Sequence, residues 1–205
     1  MRRMMTFLAA ALFAVMAFAQ TPEEIVARME EEMNKHENDG LVMVIDVKIP
    51  ILGTMSTTSY SLGDKTRVEG EMSGVKFITW SDGKTQWTYN KKENTVEIEN
   101  EKPGAETETD AEMFSGITDD YDVSIKKETA DAWHLLCKKS KNNTDKDAPK
   151  TIDLVISKKN YYPLSLSTKM SGVSMNLHDI SFGVTEKQVT FNAADYPTAK
   201  IVDKR

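Results

Sequence analysis

From Leu41 onward the apolar residues of this chain recur at every second position. Leu41, Met43, Ile45, Val47 and Ile49 share one parity, and shorter alternating runs follow at Val96 and Ile98, at Tyr121, Val123 and Ile125, at Ile152, Leu154 and Ile156, and at Leu164 and Leu166. A period of two belongs to β-strands that press one face on a core. Turn dipeptides separate the runs, among them Leu52-Gly53, Gly63-Asp64, Ser73-Gly74 and Asp82-Gly83, so successive strands are expected to pair antiparallel. With a short run at residues 188–191 included, the chain supplies about eleven or twelve strands, and a sheet that wide curls instead of lying flat.

The sharpest turn signal is Asp82-Gly83, between Trp80-Ser81 and Lys84-Thr85-Gln86-Trp87-Thr88-Tyr89. Read as the centre of a two-residue type I′ turn, it pairs Ser81 with Lys84, Trp80 with Thr85 and Ile78 with Trp87. Ile78, Trp80, Trp87 and Tyr89 then share one strongly aromatic face. Between residues 173 and 182 the apolar parity changes from odd (Val173, Met175, Leu177) to even (Ile180, Phe182). A bulge near His178-Asp179 accounts for the slip and helps the sheet bend.

A helix precedes the strands. Thr21-Pro22-Glu23-Glu24 is a capping box with proline at the first helical position, and Ile25, Met29 and Met33 form a stripe at fourfold spacing that ends before Gly40. One interval breaks the strand rhythm: residues 110–116, which include Met113 and Phe114 and are followed by Ile117, are expected to form a short helical lid inside a long loop.

The first residues, Met1-Arg2-Arg3, an apolar run over 4–17 and Ala17-Phe18-Ala19, read as a secretory signal peptide (1–19) cleaved before Gln20. The apolar run is shorter than a membrane span, and no cysteine stands at the cleavage point to carry a lipid anchor. A single periplasmic domain over 20–205 is expected, monomeric and without a permanent membrane anchor. The chain is acidic, net −6, which argues against a nucleic-acid partner. Cys137 is the sole cysteine and shares parity with Trp133 and Leu135, as a buried core thiol would. His36, His134 and His178 lie in three distant segments without metal-ligand or nucleophile spacing. No metal, cofactor or catalytic residue is expected, and the chain reads as a binding protein and not as an enzyme.

Taken together, the signal peptide, the capped helix, the curved meander, the Ser81-Asp82-Gly83-Lys84-Thr85 hairpin with Trp87 and Tyr89, and the ending from Val189-Thr190-Phe191-Asn192 to Ile201-Val202-Asp203-Lys204-Arg205 resemble the LolA-like family of outer-membrane lipoprotein carriers. The resemblance implies a mainly β fold, an incomplete, unclosed antiparallel barrel capped by the N-terminal helix and the lid. It also implies a function: lipoprotein acyl chains taken from an inner-membrane ABC exporter and passed to an outer-membrane acceptor. The apolar lining would comprise Ile25, Met29, Met33, Met43, Ile45, Ile78, Trp80, Trp87, Tyr89, Met113, Phe114 and Ile117, with the hairpin face beneath the helix. The family's lid-latching arginine has Arg67 as its nearest counterpart, although alternation also sets Arg67 beside Glu69 for a solvated ion pair. The alternative is a sensor or adaptor of the same fold that binds lipid or a protein partner without moving cargo.

Overall fold

The alternation is realised as one twelve-stranded sheet. The computed structural model describes residues 20–101 and 114–205. In chain order they form α1 (Pro22–Lys35), β1 (Leu41–Ile49), β2 (Gly53–Leu62), β3 (Lys65–Met72), β4 (Val75–Ser81), β5 (Thr85–Asn90) and β6 (Thr95–Asn100). After the second described stretch begins come α2 (Ile117–Asp120), β7 (Tyr121–Glu128), β8 (Ala132–Lys139), β9 (Thr151–Ser157), β10 (Pro163–Met170), β11 (Val173–Phe182), α3 (Glu186–Val189) and β12 (Lys200–Asp203). The order across the sheet is β12-β6-β5-β4-β3-β2-β1-β11-β10-β9-β8-β7. All neighbours are antiparallel except β12, which lies parallel to β6. The sheet is curved and does not close, so β12 and β7 are its edges, and the connection after β6 carries the chain from one end of it to the other.

α1 starts as its sequence dictates. The Thr21 hydroxyl accepts from the Glu24 N–H, and the Glu24 carboxylate accepts from the Thr21 N–H, which satisfies two backbone donors that the first turn leaves open. Gly40 turns the chain from helix into β1 with φ +68°; a Cβ there would lie 2.5 Å from the Ser61 carbonyl oxygen and 2.7 Å from the Val184 Cβ, so glycine alone fits.

Register settles which residues share a face. Leu41, Met43 and Ile45 lie opposite Ser61, Ser59 and Thr57 on β2, and Ile45 lies opposite Leu177 on β11. The set continues through Leu166, Leu154 and Leu135 on one side and through Val68, Thr79 and Thr88 on the other. We call this the inner face, because α1 lies on it. The main core is the inner face of β1 and β7–β11, where Leu135, Leu154, Ile156 and Leu177 are buried with Ile25, Val26, Met29 and Met33 of α1.

Several expectations need correction. The hairpin turn is centred one residue later, on Gly83-Lys84, since Asp82 N–H donates to the Thr85 carbonyl at 3.2 Å and Trp80 pairs with Trp87. The Asp82 carboxylate draws it there by accepting from the Lys84 and Thr85 N–H groups at 3.0 and 2.7 Å, and Gly83 alone takes positive φ, +79°, as at the first central position of a type II′ turn. Residues 188–191 are not a strand, for Val189 ends α3; the twelfth strand is Lys200–Asp203. Leu164 does not share the Leu166 face: a register irregularity between Pro163 and Ser165 turns it outward, 46% exposed against 5% for Leu166.

The bulge near His178-Asp179 is present, with the β1–β11 register shifting between Val42 and Val44 and Asp179 at φ +53°. Most of the lid helix expected at 110–116, Met113 included, lies outside the described residues. In the described part Phe114 lies in a 3₁₀ turn, and a short α-helix begins at Ile117 after Gly116 at φ +66°.

Candidate functional site

Beneath α1, five of the residues expected to line a cavity converge on the inner face with no measurable or almost no exposure: Ile25, Met29 and Met33 from α1, Met43 from β1 and Phe114 ahead of α2. Ile117 joins them, 4% exposed, and Ile45 packs against the group from its edge. Trp133, Leu135 and Cys137 supply the floor from β8, and burial pushes the Cys137 thiol up to about 11, which keeps it protonated and inert at neutral pH.

Among the described residues, polar contacts tie the cover down along its flank and at its end. Glu30, on the flank of α1, accepts from the Ile117 N–H at 3.2 Å, and burial pushes its carboxyl above the ordinary glutamate value. At the other end of α1, His36 stacks on Phe182 with ring centroids 4.5 Å apart. The His36 Nε2 meets the Tyr162 hydroxyl at 2.6 Å and Nδ1 meets the Asp39 carboxylate at 2.6 Å.

Beside α2 the interior opens as a cleft of about 440 Å³. Ile117, Ile152, Leu166, Met175 and Leu177 make its apolar wall, and Asp120, Asp145 and Asp147 stand at its border. A volume in this range accepts a small organic group or part of an acyl chain.

The inner face is not apolar throughout. On β2, Thr57, Ser59 and Ser61 are buried at 8, 5 and 9% exposure, and the Thr57 hydroxyl donates to the Ile45 carbonyl at 3.4 Å. Thr66, Thr79 and Thr88 continue that register outward. Apolar periodicity alone passes over this hydroxyl-lined half. Its signal is present in the Thr54–Ser61 stretch, where small hydroxyl residues hold nearly every position.

The aromatic hairpin face is on the other side of the sheet. Trp80 and Trp87 pair with each other, and Ile78 pairs with Tyr89, in register with Arg67 and Tyr60 and out of register with Met43. Its cover is the C-terminal segment, not α1. Phe191 stacks on Trp87 at 5.7 Å and meets Trp80 edge-on at 5.4 Å, while Tyr196 packs on Tyr89 at 4.6 Å.

Arg67 belongs to this outer layer as well. It lies 2.7 Å from the Glu69 carboxylate, with its guanidinium over the rings of Tyr60 and Trp80 at 5.3 and 5.8 Å, and Nη1 donates to the Gln188 carbonyl at 3.5 Å. With the Lys65–Glu186 ion pair it fastens α3 to β3, on the face away from α1. The structure therefore brings Arg67 to the C-terminal segment and not to the α1–α2 cover.

No family model matches the chain, and no curated protein is similar to it in sequence. Solved structures are similar to it along most of its length. One is an uncharacterized conserved protein from Thermus thermophilus, 17% identical, covering 89% of this chain and 98% of that one with a TM-score of 0.47. A LolA superfamily protein from Nitrosomonas europaea is 12% identical over 86% of this chain and 100% of that one, TM-score 0.36. The Mycobacterium tuberculosis lipoprotein LppX is 10% identical over 78% and 96%, TM-score 0.49. The architecture expected from the sequence resemblance, a curved unclosed sheet with few helices, is the one the chain adopts.

Proposed function

We propose that this protein binds the apolar part of an amphiphile between α1 and the inner face of β1 and β7–β11, and ferries it through the periplasm from an inner-membrane exporter to an outer-membrane acceptor. The observation that carries the reading is the construction of the cover. α1 buries Ile25, Val26, Met29 and Met33 on the sheet, and the Glu30 carboxylate on its flank meets the Ile117 N–H of the α2 segment, beside a cleft with an apolar wall. Non-directional contacts such as those of the α1 stripe can be exchanged for lipid without leaving their own side chains with unpaired polar groups.

The energetic logic follows from the size of the cargo. At about 0.8 kcal/mol per buried methylene, an acyl chain gains on the order of 10 kcal/mol on leaving water, which would make release very slow. Displacing the methionine face of α1 offsets part of that gain. The hydroxyl-lined half at Thr57, Ser59 and Ser61 would face the polar head or the peptide of the cargo, whose amides and hydroxyls it can pair.

Native mass spectrometry of the protein recovered from the periplasm of its producing cell tests the reading. Bound acylated peptide or lipid, lost on incubation with acceptor vesicles, is the expected result. A protein that is consistently empty contradicts it, as does one whose lipid never leaves, which would fit a sensor.

A further inference from the structure

One rim of the sheet carries most of the large apolar residues left in water. Among the described residues, Ile51 is 104% exposed, Leu52 81%, Met72 62% and Met170 42%. These four lie in three hairpin tips that are neighbours across the sheet, because β10, β11, β1, β2, β3 and β4 are consecutive in it. Ile49 pairs with Gly53, Met72 with Val75 and Met170 with Val173, so all three turns point off the same end. The first and third turns touch: a Cβ on Gly172 would lie 3.7 Å from the Pro50 Cγ.

Two further observations say what covers this rim. Ile51 holds φ at +72°, a conformation that a β-branched side chain adopts only at a cost in strain, and it spends that strain on presenting its side chain to solvent. Within two positions of the three turns the charged residues are Lys48, Lys76 and Lys169 against Glu71, all of them exposed, in a chain whose net charge is −6. Apolar tips flanked by lysines on an acidic protein match a bilayer surface with anionic headgroups, where the apolar residues enter the interface and the lysines meet phosphate.

We propose that the rim formed by Ile51, Leu52, Met72 and Met170 docks the protein reversibly on an anionic membrane surface. The cleft beside α2 reaches the third tip, since Met170 and Thr168 line it together with Asp145 and Asp147. Docking of this rim follows from exposure and charge, and does not require that the interior carry cargo.

Flotation of the full chain with vesicles of mixed phosphatidylethanolamine and phosphatidylglycerol, and with vesicles of phosphatidylcholine alone, tests it. The expected result is binding to the anionic vesicles, weakened by salt, and reduced on the order of tenfold by the pair Ile51→Asn and Leu52→Asn. Asparagine tolerates positive φ, so that variant keeps its fold, checked by thermal melting, and retains whatever lipid the wild type holds by native mass spectrometry. Wild-type protein that floats with neither vesicle, or a variant that floats as well as the wild type, overturns the inference. Retention on a protein partner, with no flotation, overturns it too. An interior found empty bears on the cargo reading alone.

Discussion

The Glu30 carboxylate of α1 accepts a hydrogen bond from the backbone N–H of Ile117, 87 positions away in the chain, at 3.2 Å. The contact joins the helix that covers the interior to the segment at its opening, and it uses a group that burial has made harder to ionise. A carboxyl with a raised folded-state pKa favours the fold when protonated. Its contribution is fully present below the ordinary value of 4.5 and is lost as the pH climbs through the raised value. Glu30→Gln keeps an acceptor oxygen and removes the charge, so the variant is expected to melt higher than the wild type at neutral pH, with the difference closing as the pH falls toward 4.5. Thermal melts of both proteins across that range check it; a constant difference would be the wrong outcome.

Met29 has no exposed surface and sits at the centre of the α1 stripe. Met29→Ala is expected to cost about 2–5 kcal/mol of stability by urea denaturation, from lost transfer energy plus the cavity left behind. The same change weakens the cover that an acyl chain must displace, so affinity for a fluorescent fatty acid should rise while stability falls. A parallel loss of both would mean that Met29 contacts ligand and not only the sheet.

On the outer face, Trp87 and Phe191 stack at 5.7 Å with an interplanar angle of 16°. A double-mutant cycle with Trp87→Leu and Phe191→Leu is expected to return a coupling of about 0.5–1.5 kcal/mol. Fatty-acid affinity should be unchanged in all three variants. A coupling near zero would detach the C-terminal segment from the hairpin.

Much of this architecture was legible in the chain. The capping box at Thr21 and Glu24, the strand alternation from Leu41, and the parity slip at His178-Asp179 each follow from local chemistry, and each is found. What local chemistry cannot say is which face a distant segment will cover. Alternation groups Ile78, Trp80, Trp87 and Tyr89 together correctly, yet only the register through β2 and β3 sets them opposite Met43. Their partners Phe191 and Tyr196 arrive about a hundred residues later, by way of a parallel strand at Lys200–Asp203 that no turn signal announces. The turn at Gly83-Lys84 was displaced for a smaller reason, the side chain of Asp82 closing on the backbone ahead of it. Arg67 followed the hairpin: its parity with Glu69 was right, and the side of the sheet that this parity occupies was not fixed by spacing.

The three tryptophans divide between the two faces, and this makes the location of the ligand directly measurable. Trp133 lies in the inner core with Leu135 and Cys137, whereas Trp80 and Trp87 lie under Phe191 and Tyr196. A brominated fatty acid quenches indole fluorescence only at close contact. Titrated into the wild type, into Trp133→Phe and into the double variant Trp80→Phe with Trp87→Phe, it should quench the wild type and the double variant and leave Trp133→Phe bright. Quenching that survives in Trp133→Phe and disappears from the double variant would place the ligand on the outer face and contradict an interior opened by α1.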